Sequence, residues 1–122
     1  MIEALITEGL PTETRQAGKI LAVGSPGEWQ SDAPVTGRNG NVVFVAFGDV
    51  DRELLDHLKP DAIVSPALAW NFDCIDLAVL LEQLSYVGAY RATAMELPKP
   101  ELVEAEISQL CPQLDFAIIT SY

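Results

Sequence analysis

The feature of this sequence that most constrains its fold is a repeated alternation of short apolar runs with helix-forming segments. Five apolar runs of strand length occur along the chain: KILAVG, NVVFVAF, AIVSP, AYRATAM and LDFAIITS. Helical patterns separate the second run from the third, the third from the fourth and the fourth from the fifth. Strands joined by crossover helices lie parallel in one sheet that has helices on its faces. The alternation predicts a three-layer α/β sandwich with a mostly parallel sheet of about five strands.

Two of these runs also predict where their strands lie in the sheet. NVVFVAF, residues 41–47, is rich in β-branched and aromatic residues and is apolar on both of its faces. A strand of that kind is typical of the centre of a sheet that is covered on both sides. AYRATAM, residues 89–95, is less apolar. We therefore expect it to lie nearer an edge.

The helical segments carry start and stop signals. A helix over residues 52–58 is followed by Lys59-Pro60, which ends it. A second helix begins near Asp73, and its apolar residues are too numerous for one narrow stripe, which predicts a deep position or an interface. The third, in PKPELVEAEISQL, has Pro100 in its first turn and is amphipathic. Three residues share its apolar face: Val103, Ile107 and Leu110.

Composition limits the classes of protein to which this chain can belong. With 122 residues, of which 49% are hydrophobic, the chain has the size and apolar content of one folded domain. We expect that domain to span residues 1–122, with an irregular segment over 1–18 and a long loop over 25–40. Eighteen acidic against seven basic residues give a net charge of −11, which repels phosphates and anionic headgroups. Neither nucleic acid nor a membrane is therefore an expected partner.

The sequence also predicts where the protein resides. Its first ten residues lack the basic and apolar regions of a secretory signal, and no apolar run approaches the roughly 20 residues that span a bilayer. Cys74 and Cys111 have no CxxC partner and no neighbouring histidine. We expect both to be buried, reduced thiols, since neither a disulfide nor a metal site is indicated. A cytoplasmic location follows.

A binding pocket is predicted at the carboxyl ends of the strands, where open α/β sheets bind their ligands. The long loop begins at the end of the first strand, and we expect it to lie over this edge. Five residues are candidates for lining the pocket: Ser25, Trp29, Asp49, Ser65 and Trp70. The two tryptophans could flank a flat ligand, anchor a partner or close the core, and the sequence favours none of these.

Other chemistries have weaker support. The segment GSPG, residues 24–27, could offer backbone N–H groups to a phosphate, but it matches no phosphate-loop motif, and a plain turn is favoured. The sole histidine, His57, lies within a helix and makes a poor general base. Four aspartates could gather around a divalent cation, although each stands where a helix needs a cap: Asp49, Asp51, Asp73 and Asp76. We expect no metal, no cofactor and no catalytic residue.

The segment AIVSPALAWNFDCIDLAVLL resembles the third strand and third helix of bacterial response-regulator receiver domains, which share the flavodoxin-like architecture. In that family the strand ends in a phosphoacceptor aspartate, and a proline-containing loop leads through an Asp-Gly step into an apolar helix. Aligned without gaps, Pro66 falls on the acceptor and Asp73-Cys74 on the Asp-Gly pair. Upstream, FGDVDRELLDHLKPDAIV is similar to the preceding helix and its KPD step. The likeness covers residues 47–81.

Departures from the receiver pattern exclude its chemistry. Receivers place an acidic pair after their first strand to hold magnesium, whereas this chain has Gly24 and Ser25. Pro66 has no carboxylate that could accept a phosphoryl group. LPKPELVEAEI resembles the receiver's Lys-Pro step into its last helix, with Lys99 as the lysine, but it comes one strand–helix unit too early. The resemblance implies the architecture and a degenerate signalling role, and it does not imply phosphoryl transfer.

These observations lead to an ordered set of functional hypotheses. The first is a non-enzymatic receiver-like domain that acts through protein–protein contact, with a second copy of itself or with another protein. The very apolar helix over 75–84 and the strand at which the sequence ends both favour a homodimer. The second is a small-molecule binding domain, for a nucleotide or metabolite, that uses the pocket described above. An enzyme is third, because the chain offers no nucleophile–base pair.

Overall fold

The structure is a computed structural model, and it describes residues 19–24, 42–69, 71–94 and 98–119. The predicted irregular segment 1–18 and the predicted loop 25–40 lie outside these residues. Within the described ranges the strands are β1 Ile20–Val23, β2 Val42–Val45, β3 Ala62–Pro66, β4 Ala89–Thr93 and β5 Asp115–Ile119. The helices are α1 Arg52–Leu58, α2 Cys74–Gln83 and α3 Pro100–Leu110, and a short 3-10 helix spans Phe47–Asp49.

All described strands pair in parallel, in the order β2-β1-β3-β4-β5. This confirms the predicted α/β fold with a parallel sheet of about five strands. The connections from β2 to β3, β3 to β4 and β4 to β5 all advance in the same direction across the sheet. Right-handed crossovers then place the three intervening helices on one face, and residues of all three pack into one core cluster there. We call this the helix face.

Both faces of the sheet are buried, as in a flavodoxin-like three-layer arrangement. On the helix face, Leu21, Ile63 and Tyr90 pack against residues of the helices. A second cluster lies on the opposite face and consists of Ile20, Ala22, Ala62, Val64 and Ala89. Successive strand residues alternate between these two clusters, because side chains of a strand point to opposite faces in turn.

The structure corrects two predictions about strand position. Among the described strands β2, at the clear apolar run NVVFVAF, forms an edge of the sheet, and its residues are only half-buried. The less apolar β4 lies inside the sheet, and all five of its residues are buried. The polar side chain of Arg91 is accommodated in β4 because its guanidinium donates to the backbone oxygen of Asp115 at 2.6 Å and contacts the carboxylate of Asp115 at 3.3 Å. Strand order depends on the crossovers, so the apolar content of a short segment determines neither the position of its strand in the sheet nor how deeply that strand is buried.

The helices begin as their sequence signals predict. Asp51 caps α1 by accepting the N–H of Leu54 at 2.8 Å. Asp73 and Asp76 form a complete capping box at the start of α2, in which each carboxylate accepts the other residue's N–H. Four residues of α2 are fully buried, which places the helix deep in the core: Cys74, Leu77, Ala78 and Leu81.

Helix α3 differs from its prediction at one position. Ile107 is buried and Val103 is half-buried, as the shared apolar face requires, but Leu110 is 49% exposed. Leu110 is the last residue of α3, and its side chain reaches solvent. None of the helices in the described part of the chain has the length and apolar character of a membrane span.

Candidate functional site

Among the described strands, the order of connection reverses at one point of the sheet. The chain leaves β1 toward one side of the sheet and leaves β3 toward the other, so the strand order reverses between these two neighbours. Ligands of open α/β sheets bind at such a reversal. Gly24, Pro66 and Ala67 occupy this position among the described residues. Gly24 has a φ of 128°, a backbone conformation that residues with a side chain rarely adopt. Its N–H donates to the carbonyl oxygen of Val45 at 2.8 Å.

Two of the five predicted pocket residues lie within the described part of the chain. Ser25, Trp29 and Trp70 lie outside the described residues. Asp49 ends the 3-10 helix that follows β2, and it is exposed to solvent. Ser65 is the penultimate residue of β3, and it has no exposed surface.

Ser65 belongs to the core of the helix face. Its Oγ lies 2.6 Å from the hydroxyl oxygen of Tyr90 and donates to the carbonyl oxygen of Pro66 at 2.9 Å. Because a serine hydroxyl has one proton, the Tyr90 O–H donates to Ser65 Oγ. Burial raises the pKa of Tyr90 well above its usual value, against a smaller lowering effect of the hydrogen bond with Ser65. In this arrangement Ser65 contributes a buried hydrogen bond and presents no group to a ligand.

Backbone hydrogen bonds close the loop that follows β3. The N–H of Ala67 donates to the oxygen of Thr93 at 2.7 Å, which joins the loop to the end of β4. The N–H of Cys74 donates to the oxygen of Ala67 at 2.9 Å, and Ala69 donates to Phe72 at 2.9 Å. These hydrogen bonds hold the described residues of the loop against β4 and against the first turn of α2.

An aromatic pair fills the corner beside this loop. The rings of Phe47 and Phe72 are stacked, with centroids 4.7 Å apart and planes 8° apart. Phe72 is buried, and the pair links the 3-10 helix after β2 to the entrance of α2. Sequence reasoning did not single out this pair. In the sequence, the pair is visible only as one aromatic residue that follows the β2 segment and one that precedes α2.

The acidic residues of this region do not form an ion site. Asp51, Asp73 and Asp76 use their carboxylates to cap helices, as predicted. The capping role predicted for Asp49 is wrong, because Asp49 is the last residue of the 3-10 helix and the following helix is capped by Asp51. In the described ranges no group of three or more His, Cys, Asp or Glu side chains is placed to hold a metal ion. His57 lies within α1, as predicted, and it is exposed to solvent.

The two thiols are buried and unpaired, as predicted. Burial is the main cause that raises the pKa of Cys74 to about 11, and the neighbouring Asp73 carboxylate raises it further. The Cys111 Sγ donates to the oxygen of Ala78 at 3.4 Å, and burial also raises the pKa of this thiol. A nucleophilic cysteine needs a lowered pKa and access to solvent, and these two have neither.

Comparison of the chain with protein families, with curated proteins and with solved structures gives no match. Pro66 is the residue that the sequence resemblance assigns to the phosphoacceptor position. It ends β3 and is buried, and its carbonyl oxygen accepts from Ser65. The described part of the edge holds stacked phenylalanines and a hydrogen-bonded loop.

Proposed function

We propose that this chain is a non-enzymatic cytoplasmic domain, a degenerate relative of receiver domains, that acts by binding a second copy of itself. The observation that carries the proposal is the exposure of two leucines on α3. Leu102 is 60% exposed and Leu110 is 49% exposed. Eight residues apart on a helix, they lie about 80° from each other around its axis, so both fall on one side of α3.

The exposed leucines are a better candidate for the interface than α2, on which the sequence-based hypothesis relied. The side chains of Leu77 and Leu81 on α2 are fully buried in the core, where they are inaccessible to a partner. Helix α3 is half polar, and its two exposed leucines have no role in the core cluster. Large apolar side chains grouped on one side of a surface helix are typical of a protein–protein contact.

The described groups at the carboxyl edge support a role without catalysis. The Ser65 hydroxyl is engaged in the core, and the Cys74 thiol is buried. Pro66 cannot accept a phosphoryl group. A domain that keeps the receiver architecture without its acceptor can still present a binding surface, as the same fold serves many functions.

The net charge determines how such a dimer should respond to salt. Each copy has a net charge of −11, so two copies repel each other over the distance at which charges are not screened. An apolar contact between leucines is insensitive to that screening. We therefore expect dimerisation to strengthen as the salt concentration is raised from about 0.01 M to 0.5 M, because the Debye length falls over this range from about 30 Å to below 8 Å.

Size-exclusion chromatography with light scattering tests the proposal. The wild-type protein should elute as a dimer at high salt, and Leu102→Glu with Leu110→Glu should convert it to a monomer. Leu68→Glu and Val87→Glu are matched controls, since these residues are 68% and 66% exposed and lie outside α3. A wild-type monomer at high salt refutes the proposal, and so does an equal loss of dimer in the paired control variant.

A second measurement tests the absence of phosphoryl transfer. Incubation with acetyl phosphate and magnesium should leave the mass of the intact protein unchanged, because Pro66 has replaced the acceptor. The appearance of a stoichiometric acyl phosphate would show that another carboxylate has taken over that role.

A further inference from the structure

Strand β5 is an edge of the sheet among the described strands. Its residues 116–119 read FAII, which is apolar, uncharged and rich in residues that favour strands. An edge of that kind readily pairs with a strand of another molecule unless something blocks it. The usual protections, a lysine, a proline or a bulge, are not found in β5 between residues 115 and 119.

The hydrogen bonds at the two ends of β5 establish which backbone groups face outward. The N–H of Asp115 donates to Gly88 at 3.0 Å, and the oxygen of Ile119 accepts from Ala94 at 3.0 Å, so both residues face β4. Residues of a parallel strand alternate in the direction of their backbone groups. The N–H and C=O groups of Phe116 and Ile118 therefore point away from the sheet.

One of these outward groups is already occupied by a side chain of α3. The carboxylate of Glu104 accepts the N–H of Ile118, with Oε2 at 2.8 Å from the nitrogen. A hydrogen bond from a backbone N–H to a carboxylate is stronger than one between neutral groups. The side chain also places a negative charge beside the edge, where an incoming strand would have to lie.

We propose that Glu104 closes the β5 edge against pairing with the β5 edge of a second copy. A two-fold axis would set two such edges antiparallel, and each would offer the same outward donors and acceptors, so the surface is self-complementary. In that arrangement the Asp115 carboxylates lie at opposite ends of the pair, and the FAII segments carry no charge that would oppose contact. The bond from Ile118 to Glu104 must break before the strands can pair. This contact differs from the dimer of the proposed function, which uses the leucines of α3.

Three variants test the role of Glu104. Glu104→Ala removes the acceptor, and Glu104→Gln keeps an acceptor oxygen while removing the charge. Glu106→Ala removes an exposed charge of the same helix that has no contact with β5 among the described hydrogen bonds. All three are made in the Leu102→Glu, Leu110→Glu background, so that association through α3 does not contribute.

Amide exchange by NMR and light scattering are the two measurements. In dilute Glu104→Ala protein the Ile118 amide should exchange about tenfold faster or more, because a bond to a charged acceptor is lost. In concentrated solution the same variant should form dimers or larger assemblies, while the Glu104→Gln and Glu106→Ala variants stay monomeric.

Two kinds of result would overturn the proposal. One is a Glu104→Ala variant that remains monomeric, whether or not its amide exchange changes. The other is equal association of Glu106→Ala, which would attribute the effect to net charge. If instead wild-type protein is monomeric but Glu104→Ala associates, the proposed α3 dimer fails while the role of Glu104 stands.

Discussion

Replacement of Ser65 tests whether this residue belongs to the core or to a binding site. In the structure Ser65 and Tyr90 are both fully buried, and their hydroxyl oxygens lie 2.6 Å apart. Ser65→Ala leaves the Tyr90 hydroxyl buried with no described partner. A buried polar group without a partner costs about 1–3 kcal/mol, so we expect the free energy of unfolding to fall by about 2 kcal/mol.

Removal of the other hydroxyl, in Tyr90→Phe, should lower the free energy of unfolding by less. This asymmetry follows from the directions of the hydrogen bonds. In Tyr90→Phe the Ser65 hydroxyl loses a donor but still donates to the carbonyl oxygen of Pro66 at 2.9 Å. No buried group is then stranded, so we expect a loss of about 1 kcal/mol. The double variant removes both hydroxyls together. Its loss should be smaller than the sum of the single losses by about 1 kcal/mol, since the shared bond is counted twice in that sum.

Urea unfolding, followed by far-UV circular dichroism, measures all four proteins of this cycle. With an m-value of about 2 kcal/mol/M, a loss of about 2 kcal/mol lowers the midpoint by about 1 M. A coupling energy below about 0.3 kcal/mol would show that the two hydroxyls do not share a bond, and would refute the assignment of Ser65 to the core. Equal losses in the two single variants would refute the assigned donor direction.

Three further predictions concern stability. Asp73→Ala should lower the free energy of unfolding by about 1 kcal/mol, because the α2 capping box is lost, whereas Asp73→Asn should retain most of it in the same urea assay. Gly88→Ala places a Cβ 2.7 Å from the Tyr86 hydroxyl, so the ring must shift; we expect a loss of about 1 kcal/mol that vanishes in a Tyr86→Leu background. Burial raises the pKa of Tyr90 and Cys74, so both stay protonated in the folded state while the unfolded chain ionises at the ordinary pKa. The free energy of unfolding should therefore have its full value below the ordinary thiol pKa of about 9 and should fall as the pH rises above it. The fall should be smaller in Tyr90→Phe, and urea midpoints at pH 8 and pH 10.5 would measure it. A midpoint that is independent of pH in this range would contradict the burial of both groups.

Local signals in the sequence predicted most of the secondary structure. The helix over 52–58 and the start of α2 after Asp73 lie where their capping and stop residues indicate. These signals act within one turn of the chain, so they are legible without knowledge of the fold. The pocket residues were predicted differently, by proximity to the strand ends, and proximity does not determine the direction in which a side chain points. Ser65 shows the consequence, since alternation along β3 directs its hydroxyl into the helix face.

The sequence by itself determined that the chain forms parallel strands and helices in alternation, because periodicity, caps and helix breakers are properties of neighbouring residues. Only the tertiary structure decided that β2 is an edge among the described strands, that β4 is interior, and that the carboxylate of Glu104 reaches the backbone of Ile118. These features depend on the direction of each crossover and on contacts between residues far apart in the chain. Such contacts form when the whole chain packs, and they depend on many weak interactions at once. No short segment of the sequence therefore determines them.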